Sequence, residues 1–109
     1  MREHIYLGEF ELIVLLTVLR LGDEAYGVPL SRELAITRGR EVAVGSVYAA
    51  LDRLEIKGLV ESRLGESTPE RGGRAKRYFR VTKQGIRSIH ATRKLLNSLW
   101  RSLPSVENA

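Results

Sequence analysis

The sequence predicts a mainly α-helical fold with one small β-hairpin near the middle of the chain. Several segments repeat apolar residues at three- and four-residue spacing, as helices packed on a core do. Residues 59–64 and 76–81 instead alternate apolar and polar side chains on either side of a glycine-containing loop, which is typical of a hairpin. With 109 residues, 43% apolar and 28% charged, the chain is expected to form one small globular unit.

The first helix is predicted from Gly8 to Leu21. Its apolar residues cover nearly every angle of the helical wheel, so it must be buried on more than one side. In so small a protein, a second copy of the chain is expected to supply part of that cover. Leu12 and Leu16 are therefore predicted dimer-interface residues, and residues 22–24 are predicted to form a turn.

Two further helices are predicted before the hairpin. The second runs from about Gly27 to Ile36, and residues 41–44 after it are compatible with a short strand. The third starts at Gly45 or Ser46 and ends before Gly58, which suits a C-terminal glycine cap. Its expected buried stripe, spaced i, i+3, i+4 and i+7, is formed by Val47, Ala50, Leu51 and Leu54.

A long last helix is predicted from its N-cap, Thr82, to about Leu103. At 1.5 Å per residue it is about 30 Å long, more than the preceding chain can cover, so a partner helix is expected. The organisation predicted is a first domain over residues 1–82, a dimerisation helix over 83–103 and a flexible tail over 104–109. The interface residues predicted on the last helix are Ile86, Ile89, Leu96, Leu99, Trp100 and Leu103.

The net charge of +5 resides in one segment, residues 71–80, which has five basic and no acidic side chains. Because the segment spans the hairpin loop and its returning strand, it is well placed to reach a polyanion, and double-stranded nucleic acid is the best candidate. Gly72 and Gly73 allow the loop to bend and approach that partner closely. The alternative is a solvated basic loop. Arg80, deeper in the strand, either contacts DNA or pairs with Glu61 across the hairpin.

Composition argues against several other classes of protein. There is no cysteine, which excludes disulfides, thiol catalysis and cysteine-type zinc sites. His4 and His90 are too far apart to suggest a metal site, and the sequence contains no phosphate-binding loop or nucleophile–base pair. We therefore expect no enzyme activity, no cofactor and no metal. The apolar runs are too short to span a bilayer and the N-terminus lacks a signal peptide, so a cytoplasmic protein is expected.

Three helices followed by a basic hairpin is the element order of a winged helix-turn-helix protein. Residues 1–82 are therefore predicted to form a winged helix-turn-helix DNA-binding domain. Three blocks of the sequence then resemble the PadR family of bacterial transcriptional regulators: GSVY at 45–48, LDRLEIKGLV at 51–60 and RGGRAKRYFRVT at 71–82. Tyr26-Gly27 and Glu11-Leu12 match as well, so the resemblance covers about residues 8–90. Ala49 and Lys83 stand where the family often has proline, and both positions can be helical without it.

The resemblance implies a homodimeric repressor that binds a palindromic promoter site and dimerises through its last helix. Some members release DNA on binding an aromatic effector at the dimer interface, which makes Trp100 a candidate effector residue. The DNA-contacting residues implied by the resemblance and by the charge of the loop are Ser46, Tyr48, Arg53, Arg71, Gly72, Gly73, Arg74, Lys76 and Arg77.

Other interpretations remain open from the sequence. Tyr48 can equally pack beneath a neighbouring helix, and Ser46 can serve as a helix cap. Asp52 on the third helix has no evident role, since a carboxylate there would repel phosphate. At the level of the whole protein, the alternatives are a winged-helix module for protein–protein assembly and a regulator of the MarR or ArsR type. The block at 71–82 disfavours both.

Overall fold

The computed structural model describes residues 5–65 and 75–104. Helices α1 (Glu9–Leu21), α2 (Gly27–Arg38) and α3 (Val44–Ile56) precede an antiparallel hairpin of β1 (Val60–Leu64) and β2 (Arg77–Val81). Helix α4 (Lys83–Ser102) follows, and a single 3-10 turn, Gly22–Glu24, separates α1 from α2. This confirms the mainly helical fold with a two-stranded hairpin.

The core lies where the first three helices meet the hairpin. Leu15 of α1, Leu30 of α2 and Leu51 of α3 are completely buried in it. The stripe expected on α3 is confirmed, because Val47, Ala50, Leu51 and Leu54 are all buried. Burial of one leucine-sized side chain stabilises the fold by about 2 kcal/mol, so this stripe fixes the orientation of α3 about its axis.

The hairpin pairs Val60 with Val81 at its base and Leu64 with Arg77 at the last described pair before the loop. Phe79 points into the core, with 3% of its surface exposed, and its backbone N–H donates to the carbonyl of Ala25 at 2.9 Å. Tyr26 forms an isolated antiparallel bridge with Tyr78. The segment that leads into α2 therefore adds a one-residue third strand to the hairpin.

Thr82 joins the hairpin to α4. Its hydroxyl accepts from the backbone N–H of Gly85 at 3.0 Å, as expected of an N-cap, and donates to the carbonyl of Gly58 at 2.7 Å. Gly85 permits a close approach of the helix to the sheet, since a Cβ there would overlap the carbonyl oxygen of Leu59 and lie 2.6 Å from Val81 Cγ1. The start of α4 is thus tied to the end of α3 and to β2.

Only the first half of α4 belongs to the core. Ser88, Ile89 and Thr92 are buried there, and the Thr92 hydroxyl accepts from the backbone N–H of Leu7 at 3.0 Å. Beyond Thr92 every described residue of the helix is exposed. The last two to three turns of α4 therefore extend past the body of the domain.

Two predictions about the start of α3 and the segment before it were wrong. Residues 41–43 form no strand, and Val44 already starts α3. The hydroxyl of Ser31 on α2 donates to the carbonyl of Val42 at 2.5 Å, which holds this segment against α2 instead of in a sheet. Ser46 is not a cap, because Ala43 occupies the N-cap position and Ser46 lies within the first turn.

Candidate nucleic-acid interface

Helix α3 presents three different faces. One is the buried stripe described above. A second is free and exposed, and it carries Ser46, Ala49 and Arg53 at spacings of three and four residues, so these side chains lie along one side of the helix. Arg53 makes no ion pair with any described residue. This free face is therefore open to contact with a partner molecule.

The third face of α3, formed by Tyr48, Asp52 and Glu55, is turned toward the hairpin. The Tyr48 ring lies 6.2 Å from the Phe79 ring, centroid to centroid. Its hydroxyl fills the space that a Cβ on Gly27 would need, which explains the glycine at the start of α2. The structure thus brings Tyr48 into the packing between α2, α3 and β2, where it is half-buried.

Arg77 of β2 contacts the same face of α3. Its Nη1 lies 3.0 Å from Asp52 Oδ1 and its Nη2 lies 2.6 Å from Glu55 Oε1. The second carboxylate oxygen of Glu55 accepts from the hydroxyl of Ser62 on β1 at 2.7 Å. Asp52, which had no evident role in the sequence, is therefore an ion-pair partner of the hairpin.

These contacts shift the protonation equilibria of both partners. The hydrogen bond from Ser62, together with Arg77, holds the pKa of Glu55 below its ordinary value despite some loss of solvation. Desolvation alone would lower the pKa of Arg77, but hydrogen bonds to Asp52 and Glu55 outweigh it, and the pKa lies above its ordinary value. Both shifts favour the charged forms of Glu55 and Arg77.

Lys76 and Arg80 differ from Arg77 in their partners. Lys76 Nζ lies 3.3 Å from the Tyr26 hydroxyl and 4.4 Å from the centroid of that ring, so its described partner is neutral. Arg80 pairs with Glu61 across the hairpin, with Nε 2.8 Å from Oε1, which is one of the two alternatives that the sequence left open. The predicted contacts Arg71, Gly72, Gly73 and Arg74 lie outside the described residues.

The predicted dimer-interface residues divide into two groups. Leu12 and Ile86 are half-buried against the protein's own core, and Ile89 is 8% exposed within it. Leu16, Leu96, Leu99, Trp100 and Leu103 are instead 43–61% exposed. Leu19 and Leu95, which were not among the predicted interface residues, are 45% and 41% exposed on the same two helices.

The described surface includes two grooves of similar size, and no cluster of His, Cys, Asp or Glu side chains in the described part of the chain could hold a metal ion. One groove, about 510 Å³, lies between the end of α1 and the hairpin and is lined by residues such as Leu19 and Glu61. The other, about 590 Å³, lies between α2 and the segment before α3 and is lined by residues such as Ser31 and Val42. Trp100, the candidate effector residue, lines neither groove. None of the described helices, α4 included, combines the length and apolar character that a bilayer-spanning segment needs.

The arrangement of α2, α3 and the hairpin is matched by known proteins. Residues 15–91 match the model of the transcriptional regulator PadR-like family. The chain belongs to this family. The match confirms the resemblance seen in the three sequence blocks, and it places this PadR-like protein among transcriptional regulators and not among enzymes.

Relatives of this PadR-like protein are regulators as well. It is 34% identical to transcriptional regulator Rv3488 of Mycobacterium tuberculosis over 83 residues, which is 74% of this chain and 71% of the relative. A transcriptional regulator from Clostridium thermocellum superposes with a TM-score of 0.67 at 25% identity, covering 84% of this chain and 82% of that one. A PadR family regulator from Eggerthella lenta gives 0.64 at 27% identity, with 85% and 80% covered.

Proposed function

We propose that this PadR-like protein is a dimeric, sequence-specific DNA-binding regulator that represses a promoter. The observation that carries the proposal is the placement of an exposed polar face of α3 beside the basic hairpin, with Arg77 joining the two through Asp52 and Glu55. In winged-helix proteins the corresponding helix enters the major groove. The hairpin, here called the wing, then follows the phosphate backbone.

The free face of α3 has the chemistry needed to read bases. Arg53 can donate two parallel hydrogen bonds to a guanine edge or bind a phosphate, and Ser46 can donate or accept. Ala49 offers a methyl group to a thymine methyl. Tyr48 is anchored between α2 and β2, so we assign it to the edge of this surface. There its hydroxyl would approach the phosphate backbone of the DNA. Each good base contact of this kind adds about 1–3 kcal/mol of discrimination.

The wing supplies the sequence-independent part of binding. Lys76, whose described partner is a tyrosine, is free to meet a phosphate without first leaving a carboxylate. Arg71 and Arg74, with Gly72 and Gly73 between them, remain predicted contacts from the loop. Each phosphate neutralised in this way makes binding weaker as salt rises.

Dimerisation follows from the exposed end of α4. Leu95, Leu96, Leu99, Trp100 and Leu103 are large, apolar and 41–61% exposed, and they recur at helical spacing. A contiguous apolar stripe of this kind marks an interaction surface. Two copies related by a two-fold axis would bury the stripe and present two α3 helices to a palindromic operator. A dimer bound at a promoter would exclude polymerase and so repress transcription. Because its proposed target is promoter DNA, we expect the protein to act in the cytoplasm.

An aromatic effector is the further part of the proposal. Trp100 is 61% exposed within the proposed interface, so its indole is available to stack on a ligand there. It is also the only tryptophan of the chain, so its fluorescence reports on this position alone. We expect an effector to quench that fluorescence and to release DNA over the same concentration range. A ligand that releases DNA without changing the fluorescence would place the effector site elsewhere.

The test of DNA binding is the affinity of the purified protein for its own upstream DNA and for a scrambled duplex across salt concentration. We expect the upstream fragment to bind about a thousandfold more tightly, as specific sites do. Equal and steeply salt-dependent binding to both would contradict sequence specificity for that fragment. No binding at low salt would contradict the proposal and favour the protein-assembly alternative.

A further inference from the structure

Four side chains join both strands of the hairpin to α3, and we call them the carboxylate clamp: Asp52, Glu55, Ser62 and Arg77. Arg77 of β2 donates to both carboxylates, at 3.0 Å and 2.6 Å. Ser62 of β1 donates to the remaining oxygen of Glu55 at 2.7 Å. Because Asp52 and Glu55 are three residues apart on a helix, they project from one face and hold the guanidinium between them.

The clamp holds the part of the wing nearest its loop. Arg77 pairs with Leu64, the last described strand pair before the loop, so the clamp lies at the loop end of the hairpin. The guanidinium carbon also lies 4.8 Å from the centroid of Phe79, which is anchored in the core. Arg77 is therefore held by α3 on one side and by a core aromatic ring on the other.

The charge of the clamp argues against direct binding of phosphate by Arg77. Two carboxylates surround one guanidinium, so the formal charge of the group is negative. For Arg77 to bind phosphate, it would have to leave both partners and expose two carboxylates next to the DNA backbone. Ion pairs that are partly exposed, as these are, contribute modestly, but this network ties three elements together and resists that exchange.

We propose that Arg77 is a positioning residue that holds the wing against α3, and that it is not a phosphate ligand. The statement about the clamp depends only on the free protein. What the wing is positioned to bind depends on the proposed function in DNA recognition. The two parts are tested by separate measurements.

Lys76 provides a matched control for Arg77. It is the preceding residue and also basic, but its described contacts are the hydroxyl and ring of Tyr26 and no carboxylate. Substituting either residue by glutamine removes one positive charge and keeps part of the side-chain stem. The two variants therefore change the net charge of the wing equally and differ in whether they break the clamp.

Hydrogen exchange of the free protein tests the clamp. In Arg77→Gln we expect the amides of residues 60–64 and 77–81 to exchange about tenfold faster, as the loss of two partly exposed ion pairs implies. Lys76→Gln should leave them unchanged. The double variant Asp52→Asn with Glu55→Gln, which keeps Arg77, should speed exchange as Arg77→Gln does. Unchanged exchange in Arg77→Gln would overturn the proposal.

The salt dependence of binding to the upstream DNA separates positioning from phosphate contact. Lys76→Gln should make the plot of log affinity against log salt shallower by about 0.9, the value for one lost phosphate contact. Arg77→Gln should weaken binding about tenfold with the slope unchanged, because a looser wing loses affinity without losing a counterion-releasing charge. If the salt dependence of Arg77→Gln becomes shallower by the same amount, Arg77 is a phosphate ligand and the proposal is overturned.

The two measurements fail independently. If the unmodified protein does not bind DNA at low salt, the proposed function is wrong, while hydrogen exchange still decides whether the clamp holds the hairpin to α3. If DNA binds and the hairpin amides are insensitive to Arg77→Gln, the clamp is wrong and the proposed function stands.

Discussion

The two halves of α4 belong to the same helix but have opposite surroundings. From Gly85 to Thr92 its inward face is buried against the hairpin, α1 and the N-terminal segment. From Leu95 to Leu103 its apolar side chains are 41–61% exposed. The first half therefore contributes to folding of one chain, and the second half is available for assembly of two. Stability and dimerisation should respond to substitutions in different halves of the helix.

The largest effect expected is on assembly, from Leu96→Glu. Placing an unpaired carboxylate in the proposed interface costs about 4 kcal/mol. The variant should therefore be monomeric and bind the operator poorly. Sedimentation measures the oligomeric state, and DNA titration measures the affinity for the operator. Helix content by circular dichroism should not change. If the dimer persists, Leu16 and Leu19 on α1, and not α4, carry the interface.

Ile89→Ala should act on folding instead. The side chain is 8% exposed in the core, so its truncation should lower the free energy of unfolding by about 3 kcal/mol in urea denaturation. The measurement is best made in the Leu96→Glu monomer, where unfolding is not coupled to dissociation. Leu99→Ala in the same background is the control and should change stability by less than about 0.5 kcal/mol, as exposed positions do. Equal losses would mean that the two halves are not distinct.

Gly85→Ala tests the close approach of α4 to the hairpin. A Cβ at this position overlaps the Leu59 carbonyl oxygen, so we expect a loss of about 2 kcal/mol in thermal unfolding. Gly45→Ala is the matched control, because Gly45 is also helical and no atom lies within 4 Å of its added Cβ. That variant should be more stable by about 0.5–1 kcal/mol through helix propensity. A tolerated Gly85→Ala would show that the helix can shift away from β1.

The smallest effect expected is at the start of α4. Thr82→Ala removes a hydroxyl that caps the helix and also binds the carbonyl of Gly58, and we expect a loss of about 1 kcal/mol. Thr82→Ser keeps both hydrogen bonds and should restore most of the stability. If serine is as destabilising as alanine, the methyl group of Thr82 matters more than its hydroxyl.

Much of the candidate site was predictable because its signals are local. The apolar stripe of α3 predicts which of its residues are buried, and so leaves Ser46 and Arg53 on an outer face. The alternation at Tyr78 and Phe79 predicts one inward ring, which proved to be Phe79. The pairing of Arg80 with Glu61 follows from the register of a short hairpin.

Other features depend on contacts between distant parts of the chain. Arg77 is 25 residues from Asp52 and 22 from Glu55, and no local pattern shows that these charges meet. Tyr48 meets Gly27 through the packing of α3 on α2. The strand expected at 41–44 was wrong because a hydrogen bond from Ser31 to Val42 holds that segment against α2.

The helices, the hairpin, the cap at Thr82 and the concentration of positive charge in residues 71–80 were all predictable from the amino-acid sequence. Hydrophobic periodicity, turn residues and net charge are properties of neighbouring residues, so they can be recognised before the packing of the elements is known. The folded structure was needed to show that Arg77 is paired with α3 while Lys76 is not, and that α4 is covered as far as Thr92 and exposed beyond it. Ion-pair partners and burial are set by where separate elements meet in space.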